Sequence, residues 1–248
     1  MRALLLLILL IGCGTTVGVE RDPSLFASLR TFPLDDLAEV QSNFVDGNGR
    51  VDYGALQANR EPLDDYIGLI GLVGPSTRPE LFPTKQHELA YWINAYNAIV
   101  LHQVLLRPPP SSVGDRKVTF FYSTKYRVDG RRMSLWTMEN DVIRAFGDAR
   151  IHFAINCASI GCPQLPQEPF YPERLEQQLE RETKKFLGDE SKVRVAGKTL
   201  HLSKIFDWFE EDFEPGPAAW IRAYRPEVPE DAEVKWIEYD WGLNEQGR

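Results

Sequence analysis

Cysteine is scarce in this sequence: among 248 residues it occurs only at positions 13, 157 and 162. A disulfide framework therefore cannot stand in for a hydrophobic core. Basic residues are outnumbered, 28 Lys and Arg against 36 Asp and Glu, for a formal charge of −8. This balance excludes sequence-independent binding to nucleic acid, which needs cations to neutralise phosphates. A long apolar run occurs only at Ala3–Ile11, too short to span a bilayer as a mature helix. There is no internal repeat, no low-complexity tract and no Gly-rich phosphate loop. The turn Asp46-Gly47-Asn48-Gly49 lacks the regularly spaced ligands and closing glutamate of a calcium loop. What is present, 43% hydrophobic and 26% charged residues, suits one globular domain with a substantial core.

Residues 1–12 read as an export signal, with Arg2 before the apolar run and Leu10-Ile11-Gly12-Cys13 closing it. Removing them takes away Arg2, their only charge, and leaves the mature chain at −9. Leu-Ile-Gly-Cys resembles a bacterial lipobox, so Cys13 is the expected lipidation site, 13–23 a tether, and the membrane an expected partner through that lipid. Gly14, in place of the aspartate that retains similar lipoproteins in the inner membrane, implies an outer-membrane anchor facing the periplasm. A peptide or protein ligand is the further expected partner. Residues 24–248 form the expected single domain.

The elements run helices first, then strands interleaved with helices. Helices are expected at Leu34–Phe44 and Pro62–Leu72. The longest is Thr84–Leu106, capped by Thr84 and stopped by Pro108-Pro109-Pro110. Val118–Tyr122 and Tyr126–Val128 read as strands, with Asp129-Gly130 turning into Arg131–Met133. A Ser134-capped helix to about Phe146 carries Glu139, an ion-pair or capping partner. Ile151, Phe153 and Ile155 alternate with His152, Ala154 and Asn156, the period of a strand with one buried face. Pro172–Leu187 reads as a helix, Lys192–Leu202 as a hairpin, Lys204–Phe213 as a helix and Glu233–Tyr239 as a last strand. The fold class is α+β, with a helical first third and a long buried helix packed on a mixed or antiparallel sheet.

Three motifs carry a family resemblance. They are Ala90-Tyr91-Trp92-Ile93-Asn94-Ala95-Tyr96-Asn97-Ala98, Ile151–Ser159 with Gly161-Cys162-Pro163, and Leu202–Phe209 with Asp212-Phe213. Together they resemble the family called domain of unknown function 547, from about Lys85 to Phe213, with a similar Tyr239–Asn244 ending. The resemblance implies a fold and a set of positions without a reaction, and it keeps Glu139 among the candidates.

The candidate chemistry centres on Arg150–Leu165. A thiol nucleophile at Cys157 or Cys162 needs a base, His152, and an orienting group from Asn94, Asn97 or Asp207. The arrangement is distantly similar to papain-like and transglutaminase-like enzymes and would serve a hydrolase or acyl transferase acting on an amide or thioester. Strict alternation places His152 and Cys157 on opposite faces, so the chain must turn for them to meet. Asn156, Ser159, Glu139, Lys204 and Asp207 are candidate binding residues. Metal binding through His152, Cys157, Cys162 and His201 is disfavoured by the wide cysteine spacing, and no metal or cofactor is expected. The competing reading is a non-catalytic envelope binding module with a structural Cys157–Cys162 disulfide, which export favours. In the same way, Asn94 and Asn97 either tie loops to the core or line a cleft.

Overall fold

A computed structural model describes residues 16–247; the expected export signal and the expected lipidation site Cys13 lie outside them. The fold is α+β. After a two-residue strand β1 (Thr16–Val17) come α1 (Asp35–Phe44), α2 (Tyr53–Ala58) and α3 (Glu61–Leu72). Asp35 and Asp36 open α1, where the helix dipole favours carboxylates, and Leu37 and Val40 face inwards. Asp52 caps α2 by accepting from Ala55 N–H at 2.8 Å.

The centre of the molecule is α4 (Lys85–Leu105), in which every residue from Leu89 to Leu105 is buried. A helix apolar on one stripe alone can leave its polar residues in water; one buried all round must satisfy them inside. Asn94, Asn97, His102 and Gln103 accordingly each have an internal partner, Gln103 through Nε2 alone, its Oε1 being buried without one. Helices α1 to α3 surround α4 in a single apolar cluster. β2 (Lys125–Val128) and β3 (Arg131–Met133) reach the same cluster through Tyr126, Val128 and Met133. The sheet runs β1-β2-β3, parallel then antiparallel. Asp129 and Gly130, at φ 51° and 71°, make the tight hairpin turn expected of Asp-Gly. The expected α+β arrangement thus holds, with α3 beside α4 and the small mixed sheet joined to it through the same apolar cluster.

The run from Leu135 to Phe146 is helical but uneven: α5 (Leu135–Thr137), a π-helical turn Met138–Ile143 and a 3₁₀ turn Arg144–Phe146. Two expected strands are not strands. Val118–Ser123 is a π-helical turn whose Phe120 carbonyl accepts from Gln103 of α4 at 2.7 Å. Ala149–Phe153 is a 3₁₀ helix capped by Asp148, and an irregular segment follows. The physical reason lies in α4: Asn97 donates to Ala154 O at 2.9 Å and accepts from Asn156 N–H at 2.8 Å. One side chain supplies the partners a neighbouring strand would have given, so the alternation pattern has no ladder to join.

The second half builds a smaller core. α6 (Leu175–Gly188), β4 (Val193–Ala196), β5 (Thr199–Ser203), α7 (Ile205–Trp208), α8 (Pro217–Arg222) and β6 (Glu233–Ile237) follow in order. The sheet is β4-β5-β6, with β5 and β6 parallel. Phe153, Phe186, Phe206 and Phe213 form its centre. The expected helix Lys204–Phe213 breaks at Phe209 (φ −125°) into α7 and a 3₁₀ turn Glu210–Asp212.

The last described segment, 239–246, is a strap across both halves. Gly161 N–H donates to Asp240 O, Ile160 N–H to Gly242 O, Asn244 N–H to Ala158 O, and Val51 N–H to Asn244 O, all within 2.7–3.0 Å. Gly161 permits this approach: a Cβ there would lie 2.8 Å from the Tyr239 ring.

Candidate functional site

A cavity of about 350 Å³ opens between the two cores. The π-helical turn at Met138–Ile143 contributes Glu139 and Asn140, and Arg144 follows it. Such turns re-aim side chains relative to an α-helix, which is why they recur at functional sites. His152 comes from the 3₁₀ helix, Cys157 and Cys162 from the loop behind it, Trp208 and Phe209 from the end of α7, and Tyr239 and Trp241 from the strap.

His152 is held by Asp212: Nε2 lies 2.7 Å from Oδ2, and its ring stacks on Phe209 with centroids 4.2 Å apart. Burial pushes the imidazole pKa below its usual value, against the opposing pull of Asp212. Burial alone would raise Asp212, but hydrogen bonds from His152 and Arg144 outweigh it and hold the carboxyl well below the usual range. Asp212 is thus the ionised acceptor, Nε2 carries the proton, and the neutral ring is left with Nδ1 as an acceptor. Arg144 completes the network, giving Nε to Asp212 at 2.6 Å, Nη2 to Glu211 at 2.6 Å and Nη1 to Asn140 at 2.9 Å.

Glu139 differs from Asp212. Burial pushes its carboxyl up to about 7, and the Tyr96 hydroxyl donating at 3.1 Å and the Arg144 charge only partly oppose this. Two neighbouring acids are thereby driven apart, Asp212 held ionised and Glu139, on the pocket wall, shifted towards its protonated form.

Cys157 and Cys162 are joined as a disulfide, with Cα atoms 6.0 Å apart. Tyr239 O–H donates to Cys162 Sγ at 3.1 Å and also lies 3.1 Å from Cys157 Sγ and 3.0 Å from Ser159 Oγ. No hydrogen bond joins His152 to either sulfur among the described residues.

The walls are aromatic. Tyr122 and Trp136 stack at 6.2 Å on one side, and Trp208, Tyr239 and Trp241 cluster on the other. Lys117 Nζ lies over the Trp241 ring at 4.7 Å and the Trp208 ring at 5.5 Å. Tyr122, Trp136 and Trp208 are 48%, 42% and 41% exposed, an unusual share of the large apolar surface left in water.

The candidate residues from sequence divide. His152, Cys157, Cys162 and Glu139 meet in the pocket, and Ser159 touches it from behind through Tyr239. Asn94 borders a different cleft and binds Phe170 through both carbonyl and N–H, at 2.7 and 2.8 Å. Asn97 staples the 154–156 backbone, and Asn156 binds Pro163 O and Ala158 N–H. Lys204 and Asp207 pair with each other at 3.0 Å and do not line the pocket. The carboxylate on His152 is Asp212, five residues beyond Asp207 in the same motif, because the break at Phe209 turns the chain back. Asp212, Tyr239, Trp208 and Trp241 fall in the Leu202–Phe209, Asp212-Phe213 and Tyr239–Asn244 motifs, which do not single them out for the site, and Arg144, Tyr122 and Trp136 carry no signal of a site role. No group of three or more His, Cys, Asp or Glu that could hold a metal ion occurs among the described residues.

Residues 81–187 match the family described as "Protein of unknown function, DUF547". The resemblance spans α4, Glu139, Arg144, His152 and both pocket cysteines, and it ends before Asp212 and Tyr239. No curated protein and no solved structure matched the chain.

Proposed function

We propose that the chain is a binding module of the bacterial cell envelope, anchored through lipidated Cys13, whose pocket takes a segment of a peptide or protein. One observation carries this reading. The groups able to do chemistry are engaged with one another, His152 with Asp212, Arg144 with Asp212 and Glu211, Glu139 with Tyr96, and both sulfurs in a disulfide. The rings of Trp136, Trp208 and Tyr122, stacked with neighbouring rings, are what remains partly exposed. Such rings supply large contact area at low conformational cost. Titrating envelope-derived peptides against intrinsic tryptophan fluorescence should give saturable quenching that Trp136→Ala and Trp208→Ala each weaken; unchanged affinity in both variants would end this reading. The anchor is tested by mass spectrometry of the membrane fraction, where the mature chain should begin at an acylated Cys13. A soluble mature form starting elsewhere would overturn it.

The His152–Asp212 bond favours a second reading, in which a reduced Cys157 serves as nucleophile with His152 as base in a hydrolase or acyl transferase. It requires reduction first, and His152→Ala should then abolish alkylation of the reduced protein at neutral pH.

A further inference from the structure

The disulfide is asymmetric in its surroundings. Cys157 is partly exposed in the pocket, whereas Cys162 is 7% exposed. The buried sulfur accepts from the backbone Cys157 N–H at 2.9 Å, while Tyr239 O–H lies 3.1 Å from both sulfurs and Ser159 Oγ 2.9 Å from Cys157 Sγ; what sets Cys162 apart is its burial and the backbone donor. Cys162 is held in place as well, since Lys192 donates to the Ile160 carbonyl and the strap fixes Ile160 and Gly161. Disulfide exchange depends on which sulfur a thiolate can reach and on how well the other sulfur carries negative charge as it leaves. Hydrogen bonds to a developing anion are stronger than those to a neutral sulfur.

We propose that Cys157–Cys162 is an exchange-active disulfide that oxidises a dithiol peptide or protein segment held in the pocket. A substrate thiolate attacks Cys157 Sγ; the Cys157–Cys162 bond breaks and its electron pair leaves on Cys162 Sγ, received by Cys157 N–H and Tyr239 O–H. The second substrate thiolate then attacks the substrate sulfur of the mixed disulfide and releases Cys157. Substrate dithiol and protein disulfide become substrate disulfide and protein dithiol, the two thiol protons passing to the protein's cysteines. A protein disulfide that accepts the pair in the reverse sense restores the oxidised form. Access of the substrate rests on the pocket being a ligand site; the exchange chemistry does not.

The test uses the oxidised mature chain and reduced glutathione at neutral pH, with acid quenching and mass spectrometry, while circular dichroism follows the fold. Reduction should proceed with the fold intact, and the trapped mixed disulfide should sit on Cys157. Tyr239→Phe, which keeps the ring against Trp208 and Trp241, should slow the reaction roughly tenfold through loss of one donor to the leaving sulfur. Glutathione on Cys162, reduction only at the rate of global unfolding, or an unchanged rate in a folded Tyr239→Phe would each overturn the proposal. A short synthetic peptide with two cysteines separates the two readings. If glutathione reacts as expected but the peptide reacts no faster and quenches no tryptophan, the binding reading fails and exchange stands. If the peptide quenches but neither thiol exchanges, the reverse holds.

Discussion

Around α4, buried amides face the backbone of the segments wrapped over the helix: Asn94 on Phe170, Asn97 on Ala154 and Asn156, Gln103 on Phe120. Beside the pocket, charged side chains satisfy each other, Arg144 with Asp212 and Glu211 and Asp212 with His152, and the neighbouring rings stay in water. The first arrangement spends polarity on fixing the chain. The second fixes a surface. Polar residues of one family-like motif set can therefore serve opposite ends, and burial of the partner decides which.

The sharpest way to break this comparison is Asn97→Ala. It leaves the Ala154 carbonyl and the Asn156 N–H buried without partners and should lower the unfolding free energy by about 2–4 kcal/mol in urea denaturation. A loss under about 0.5 kcal/mol would remove the staple role, since substitutions away from special features fall in that range.

Asp212→Ala should cost less, about 1–3 kcal/mol, because Arg144 retains Glu211 and partial solvent. Its specific mark is electrostatic: without the carboxylate, the His152 pKa followed by ring NMR should fall further. In the wild type, the depressed Asp212 contributes stability that is fully present above its unfolded value of 3.8 and is lost as pH falls towards its folded pKa. Asp212→Ala should flatten that acid limb.

Glu139 works in the other direction. Its folded pKa of about 7 lies above the unfolded 4.5, so the folded state holds the extra proton between these values and stability falls as pH rises through that window. The difference between wild type and Glu139→Gln, in which the histidine contributions cancel, should change by about 1–3 kcal/mol across it. A pH-independent difference would show that the carboxyl is not held neutral.

The smallest effect expected on stability is that of Trp136→Ala, within about 0.5 kcal/mol, since an exposed ring packs little. Ligand quenching should nevertheless weaken. Loss of stability without loss of quenching would place Trp136 with the core and against the comparison.

Sequence made the α4 region legible because helical spacing, a Thr84 cap and a proline stop all act locally. It also marked His152, Cys157 and Cys162, since their residue types alone restrict what they can do. The alternation in Ile151–Asn156 suggests a strand with one buried face, but all six residues are buried, and a residue-type pattern is silent on whether a neighbouring strand exists. Asp207 is one of three orienting candidates that the sequence offers, with Asn94 and Asn97, whereas Asp212 holds His152, because the helix breaks at Phe209, which no local pattern announces. The aromatic walls draw on positions 122, 136, 208, 239 and 241, a spacing that no local pattern carries.

The strap at 239–246 also sets an order of events. It supplies Tyr239 to the sulfurs, receives Gly161 and Ile160, and pairs with Val51, some two hundred residues earlier. Such distant pairings close only after much loop entropy has been lost, so they form late in folding. A chain made from its N-terminus cannot finish the pocket, or protect its disulfide loop, until these residues are available. The pocket wall of Tyr239 and Trp241 and the seam to Val51 are thus completed together, and a chain cut at 238 should collapse around α4 with the Cys157–Cys162 loop left uncovered.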